Sequence, residues 1–137
     1  MRLTAGAIAL ATGLLAACSA PAGDAQNAAV REVGVLTIEP RALATRLDSG
    51  EAIQLIDVRT PGEFAEGHIA GAINIPVDDF DPASLPDAGG AERIVYCRSD
   101  RRSGIAAERL AEAEDATAVH MEGGILAWEE AGLPLQR

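Results

Sequence analysis

Short apolar runs recur along this chain, each closed by a turn or helix-start signal and each separated from the next by room for a helix. That alternation restricts the fold more than any other feature. Strands joined by helical crossovers pair in parallel, and a parallel sheet has to be covered on both faces, so the expected architecture is a small α/β sandwich. The runs are Gly34–Ile38, Ile53–Val58, Ile73–Ile75, Arg93–Cys97 and Thr117–Met121. Helices are expected over Arg41–Leu47 behind Pro40, after Thr60, over Ser103–Glu114 and over Ile125–Glu130. Thr60-Pro61-Gly62-Glu63 supplies an N-cap, a first-turn proline and a capping-box glutamate in the right order. In the third helix Ile105, Ala106, Leu110 and Ala113 form the expected buried stripe. Asp78–Gly90, punctuated by Pro82, Pro86, Gly89 and Gly90, is expected as loop or broken helical turn.

At 137 residues the chain holds one such core. The domain is expected to occupy residues 33–137. Ahead of it, Met1-Arg2 and the apolar run Leu3–Leu14 read as an export signal over residues 1–17, too short for a membrane span of about 20 residues. Leu15-Ala16-Ala17-Cys18 resembles the lipobox of bacterial lipoproteins, in which cleavage precedes a lipid-bearing cysteine. Ser19 resembles the outer-membrane-directed pattern. Residues 18–32, rich in Ala, Gly, Asn and Asp, then form a lipid-anchored flexible tether, which places the domain on the periplasmic side at a membrane. An ordinary cleaved signal is the alternative, and it too puts the domain outside the cytoplasm.

Charge and cysteine content narrow the chemistry. There are 21 acidic residues against 11 basic ones, all arginine, and the net charge of −10 argues against a nucleic-acid partner. Yet Arg59, Arg98, Arg101 and Arg102 flank two of the strand ends, so a small anion has a local basic pocket. With Cys18 carrying lipid, Cys97 is the remaining thiol and no disulfide framework exists. His68 and His120 with a single cysteine lack zinc-ligand spacing, so no metal is expected.

Cys97 stands where a strand gives way to a loop and then to a helix start. Backbone N–H groups in Arg98-Ser99-Asp100-Arg101-Arg102-Ser103 are placed to surround one point, and the positive end of the helix dipole adds to them. Such a cradle favours a thiolate over a thiol and makes Cys97 the candidate nucleophile.

These pieces resemble a family. Asp57-Val58-Arg59, Glu63, Gly67 to Pro76, Tyr96-Cys97-Arg98-Ser99 with Arg102-Ser103, and Gly123-Gly124 with Ala127-Trp128 follow one another as in a single-domain rhodanese, over about Leu36 to Pro134. The resemblance implies a three-layer sandwich around a five-stranded, mostly parallel sheet. It also implies a sulfurtransferase that takes sulfane sulfur from thiosulfate or a similar small anionic donor as a Cys97 persulfide and passes it to cyanide or a thiol, with no cofactor. The alternative is a catalytically weak sulfur-carrying or protein-binding module tethered near a protein partner. Arg102 follows Cys97 as C-x4-R, a shorter loop than the C-x5-R of the related phosphatases.

The supporting roles are blander. Asp57, Arg59 and Glu63 are expected in ion pairing or loop support, His68 resembles the family's structural histidine before the Gly71 turn, and Trp128 is expected in core or rim packing. Asp100 departs from the glycine many single-domain members carry. A left-handed backbone there would suit glycine better, and the carboxylate brings like charge near a thiolate, unless it pairs with Arg101 or another arginine and holds the loop.

The mature protein is expected to begin at Cys18 and to carry diacylglycerol there. Intact mass of the membrane fraction checks this, and Cys18→Ser should release the domain with its chemistry unchanged.

Overall fold

The computed structural model describes residues 33–137. Cys18 and the expected signal and tether lie outside the described residues.

Five strands form a single sheet in the order β1-β5-β4-β2-β3, with every pair parallel. They are β1 (Gly34–Ile38), β2 (Ile53–Asp57), β3 (Ile73–Asn74), β4 (Glu92–Tyr96) and β5 (Thr117–Met121). Helix α1 (Pro40–Asp48) follows β1, α2 (Pro61–Glu66) follows β2, α3 (Arg101–Glu114) follows β4, and α4 (Gly124–Glu130) follows β5. Two 3-10 turns, Val77–Asp79 and Pro82–Ser84, occupy the stretch expected as broken helix.

Local signals account for these boundaries. Pro40 opens α1 where its missing N–H loses nothing, and Thr60 and Glu63 form a reciprocal capping box at α2. Side-chain alternation then sorts the strands' residues between two faces. Ile56, Val58, Val95 and Ala118 pack with Ala106, Ala107 and Leu110 of α3 and with Phe80. Leu55, Ile94, Tyr96 and Met121 pack on the opposite face with Leu43 of α1, Ile69, and Ile125 and Trp128 of α4. The result is the expected three-layer α/β sandwich.

Two expectations need correction. Helix α3 begins at Arg101 rather than Ser103, and its buried stripe is Ser103, Ala106, Ala107, Leu110 and Ala111. Ile105 and Ala113 are exposed. Ser103 sets this phase: residues three, four, seven and eight positions after it share its face, and Ile105, two positions away, does not. The ends of β2, β3 and β4 also fall one residue early, so Val58, Ile75 and Cys97 are the first residues beyond their strands.

The topology picks out one place. From β2 the chain moves outward to β3, whereas from neighbouring β4 it moves the other way to β5. Ligands in open α/β sheets bind beyond the carboxyl ends of strands at such a reversal. Asp57 and Tyr96 are register partners there, so Val58 and Cys97 leave the sheet level with one another and Arg59 follows one residue further out.

Candidate active site

Alternation decides where Cys97 points. Ile94 and Tyr96 face α1 and α4, Val95 faces α3, and Cys97 continues on the α3 side. There its Sγ lies 3.4 Å from Oγ of Ser103, on the first turn of α3. Cys97 is only 1% exposed, which leaves its sulfur within reach of nothing larger than a small projecting atom.

The loop after Cys97 turns its carbonyls outward. Ile125 N donates to Cys97 O at 2.9 Å and Leu126 N donates to Arg98 O at 3.2 Å. Because C=O and N–H point opposite ways in a trans peptide, the N–H groups of Arg98 and Ser99 face away from α4 and into the loop. Among the described residues, no acceptor meets the N–H groups of Arg98, Ser99, Asp100, Arg101 or Arg102. Consecutive unpaired N–H groups running into a helix start form a concavity that favours an anion.

Glycine makes this contact between loop and helix possible. Gly124 has φ 60°, and a Cβ there would lie 2.4 Å from Ser99 O and 2.6 Å from Arg98 O. Asp100 completes the tie. Its backbone has φ −134° and ψ −35°, so the left-handed conformation that would have favoured glycine at this position is not adopted. Its carboxylate accepts from Gly123 N at 2.7 Å instead of pairing with an arginine. Although Asp100 occupies the N-cap position of α3, its side chain does not cap the helix, and the first N–H groups stay with the loop interior.

Two ion pairs frame the loop. Buried Asp57 receives Arg59 Nη2 at 2.6 Å and Nε at 3.0 Å from both oxygens, and Arg59 Nη2 also donates to Gly67 O at 2.7 Å. The guanidinium lies 5.9 Å above the Tyr96 ring centroid. Burial works against the Arg59 charge, and Asp57, with smaller help from Tyr96 and Glu63, more than offsets it. Arg102 makes a fork with Glu63, Nη1 to Oε2 at 2.7 Å and Nη2 to Oε1 at 2.8 Å. That fork holds the Glu63 carboxyl down at about 2, against partial burial and with help from Thr60. Among the described residues Arg98 and Arg101 have no carboxylate partner, and both are exposed. Thus Asp57, Arg59, Glu63 and Arg102 pair with one another around the loop, and Arg98 and Arg101 carry its uncompensated charge.

His68 sits apart from the thiol's contacts. Its ring stacks on Phe64 at 3.8 Å with Nδ1 3.0 Å from Phe64 O, and its backbone bridges Gln136. Trp128 is buried and donates to Pro134 O. A cleft of about 210 Å³ opens beside the loop between Arg98, Arg59, Leu126 and Arg137.

One residue of the cluster was not among the candidates. His120 is 8% exposed on β5, and its Nδ1 lies 3.1 Å from Ser103 Oγ, the atom that also meets Cys97. The available signal was an ionisable residue inside a short apolar strand that neighbours the one carrying the cysteine.

A buried thiol at the end of a parallel strand, set in an anion-favouring loop that runs into a helix, defines the class of domain. Residues 39–131 match the rhodanese-like domain family, and the chain belongs to it. It is 42% identical to the Synechocystis protein slr1261 over 99 residues, covering 72% of this chain and 55% of that one. It is 33% identical to a sulfurtransferase of Allochromatium vinosum over 98 residues, covering 72% and 92% respectively. The crystal structure of a rhodanese-related protein from Thermoplasma volcanium superposes with a TM-score of 0.64 at 31% identity, covering 73% of this chain and 96% of that one. The chain spans about half the length of slr1261.

Gly124→Ala is expected to destabilise the domain by about 2–4 kcal/mol, from left-handed strain and overpacking together, read as a lower urea midpoint at unchanged slope. The Glu63–Arg102 pair carries a pH dependence. Since the folded carboxyl lies below its ordinary 4.5, the pair's contribution is complete above that pH and is lost as pH falls through about 2. Urea midpoints recorded down this window should fall less steeply in Glu63→Gln.

Proposed function

We propose that the domain is a sulfurtransferase that carries sulfane sulfur on Cys97 as a persulfide. The observation that carries this reading is the run of unpaired N–H groups from Arg98 to Arg102 ahead of a buried thiol. The relatives add to it, since a family member similar over most of its own length is a sulfurtransferase.

The chemistry follows from the geometry. Arg98 and Arg101 draw a small dianion such as thiosulfate to the loop mouth, and the N–H groups receive its charge. The Cys97 thiolate attacks the outer sulfur; the new S–S bond forms as the donor's S–S bond breaks, and sulfite leaves with the electron pair. The persulfide is an anion in the same N–H cradle. Cyanide or a thiolate then attacks its terminal sulfur, and Cys97 regains its thiolate.

A phosphate ester suits the site less well. The arginine that closes the C-x4-R loop, Arg102, is already committed to Glu63 through both terminal nitrogens. Lipidation of Cys18 would hold this activity at the periplasmic face of a membrane, where the reductants of the cytoplasm do not reach the persulfide.

Incubation with thiosulfate should add the mass of one sulfur atom at Cys97, and cyanide should remove it as thiocyanate. Cys97→Ser should fold and lose both steps, because a hydroxyl at neutral pH is a far weaker nucleophile. A protein that takes up no sulfur from thiosulfate, or a serine variant that keeps most turnover, would overturn the proposal.

A further inference from the structure

The thiol's surroundings pose a question of proton accounting. Cys97 is 1% exposed and Ser103 is fully buried, so the proton that must leave Sγ has little access to bulk solvent. The hydrogen-bond partner of Sγ is Ser103 Oγ at 3.4 Å. That hydroxyl has two further neighbours, Asp100 O at 3.0 Å and His120 Nδ1 at 3.1 Å. It has one proton to give. Asp100 O also receives Gly104 N at 2.8 Å, so it stays partnered when the hydroxyl turns elsewhere.

The three side chains come from separate elements. Cys97 follows β4, Ser103 is on α3 and His120 is on β5, all on the α3 side of the sheet. His120 faces no competing ionisable group along the sheet: its register partners are Thr37 on β1 and Val95 on β4. At the α3 end the ionisable groups are Cys97; Asp100, whose carboxylate is held by Gly123 N; Arg101; and Arg102, which is held by Glu63. The imidazole retains 8% exposure, enough for exchange with water.

We propose that His120 takes up the Cys97 thiol proton through the hydroxyl of Ser103, and so acts as the positioning residue that readies the thiolate. In the resting state S–H donates to Oγ, and the O–H donates to Nδ1. The S–H bond breaks as a new O–H bond forms, and the original O–H bond breaks as N–H forms at Nδ1. No proton enters or leaves the trio, and a thiol and an imidazole become a thiolate and an imidazolium. Every contact persists with its direction reversed: Nδ1–H donates to Oγ, and O–H donates to the thiolate. A hydrogen bond to the charged form favours that form, and the cation one residue away adds to it. Sulfur transfer leaves the imidazolium in place opposite the persulfide anion.

The proposal rests on Cys97 as the reacting thiol, and its test is separate from sulfur transfer. The rate of Cys97 alkylation by iodoacetamide against pH reads the thiolate directly. In His120→Asn, which keeps a polar side chain of related size but takes up no proton, the midpoint should move upward by about one pH unit. Ser103→Ala should move it in the same direction. Because both act along one path, the double variant should move it no further than the larger single shift. A folded His120→Asn whose profile superimposes on that of the unaltered chain overturns the proposal, as does full additivity in the double variant.

A second measurement needs no change at His120. Coupling is reciprocal, so the midpoint of the His120 ring resonances against pH should differ between the unaltered chain and Cys97→Ser. Identical titrations would overturn the proposal. Failure of thiosulfate to load Cys97 would sink the sulfurtransferase reading alone, since alkylation and ring titration do not depend on it.

Discussion

A loop can aim its N–H groups at one point only if its carbonyls find partners on the other side. That constraint organises the site. The carbonyls of Cys97 and Arg98 are received by the first N–H groups of α4, Asp100 ties the loop to Gly123, and Gly124 removes the Cβ that would keep the two segments apart. Each contact satisfies a helix terminus or a loop carbonyl that would otherwise be orphaned. The inward N–H groups are left over by the same geometry, and an anion or thiolate is their natural complement.

The charges around the loop are arranged with the same economy. Asp57 is fully buried, and the Arg59 fork together with the Arg59 backbone N–H makes that tolerable, while the guanidinium itself lies over the Tyr96 ring. Removing one partner of such a pair costs about 3–5 kcal/mol, because the other charge stays buried and uncompensated. Glu63 serves twice, capping α2 through Thr60 and gripping Arg102 at the start of α3. It thereby joins β2's following helix to the loop that follows β4. With two arginines committed, the uncompensated positive charge beside the loop is that of Arg98 and Arg101 on the surface.

Much of this was legible in the residues. Thr60-Pro61-Gly62-Glu63 announced a helix start because a capping box is local chemistry, and the short runs announced parallel strands because burial on both faces leaves little room for polar residues. Strand ends and the phase of α3 were less accessible. Ser103 turns toward Cys97 and rotates the helix, which buries Ala107 and Ala111 while leaving Ile105 and Ala113 exposed. Within the site, the resemblance named Cys97 and its loop, but not the pairing of Glu63 with Arg102 across 39 residues. The role of Asp100 stayed open in the sequence for a related reason. Its backbone angles and its partner, Gly123, depend on how β5 and α4 arrive beside the loop. His120 was passed over because a histidine on a strand declares nothing until its neighbours across the sheet are known.

The union of the loop with α4 has a consequence for how such a site can be moved or inherited. Residues 97–103 look like a self-contained cassette, yet their shape is completed by Gly123, Gly124 and the two residues after them. Grafted alone onto another sheet, the cassette would lose the receptors for its carbonyls and relax. The unit that carries function between scaffolds is therefore a pair of segments from consecutive β-α junctions. Insertions between them are tolerable only if they leave the second junction seated against the first.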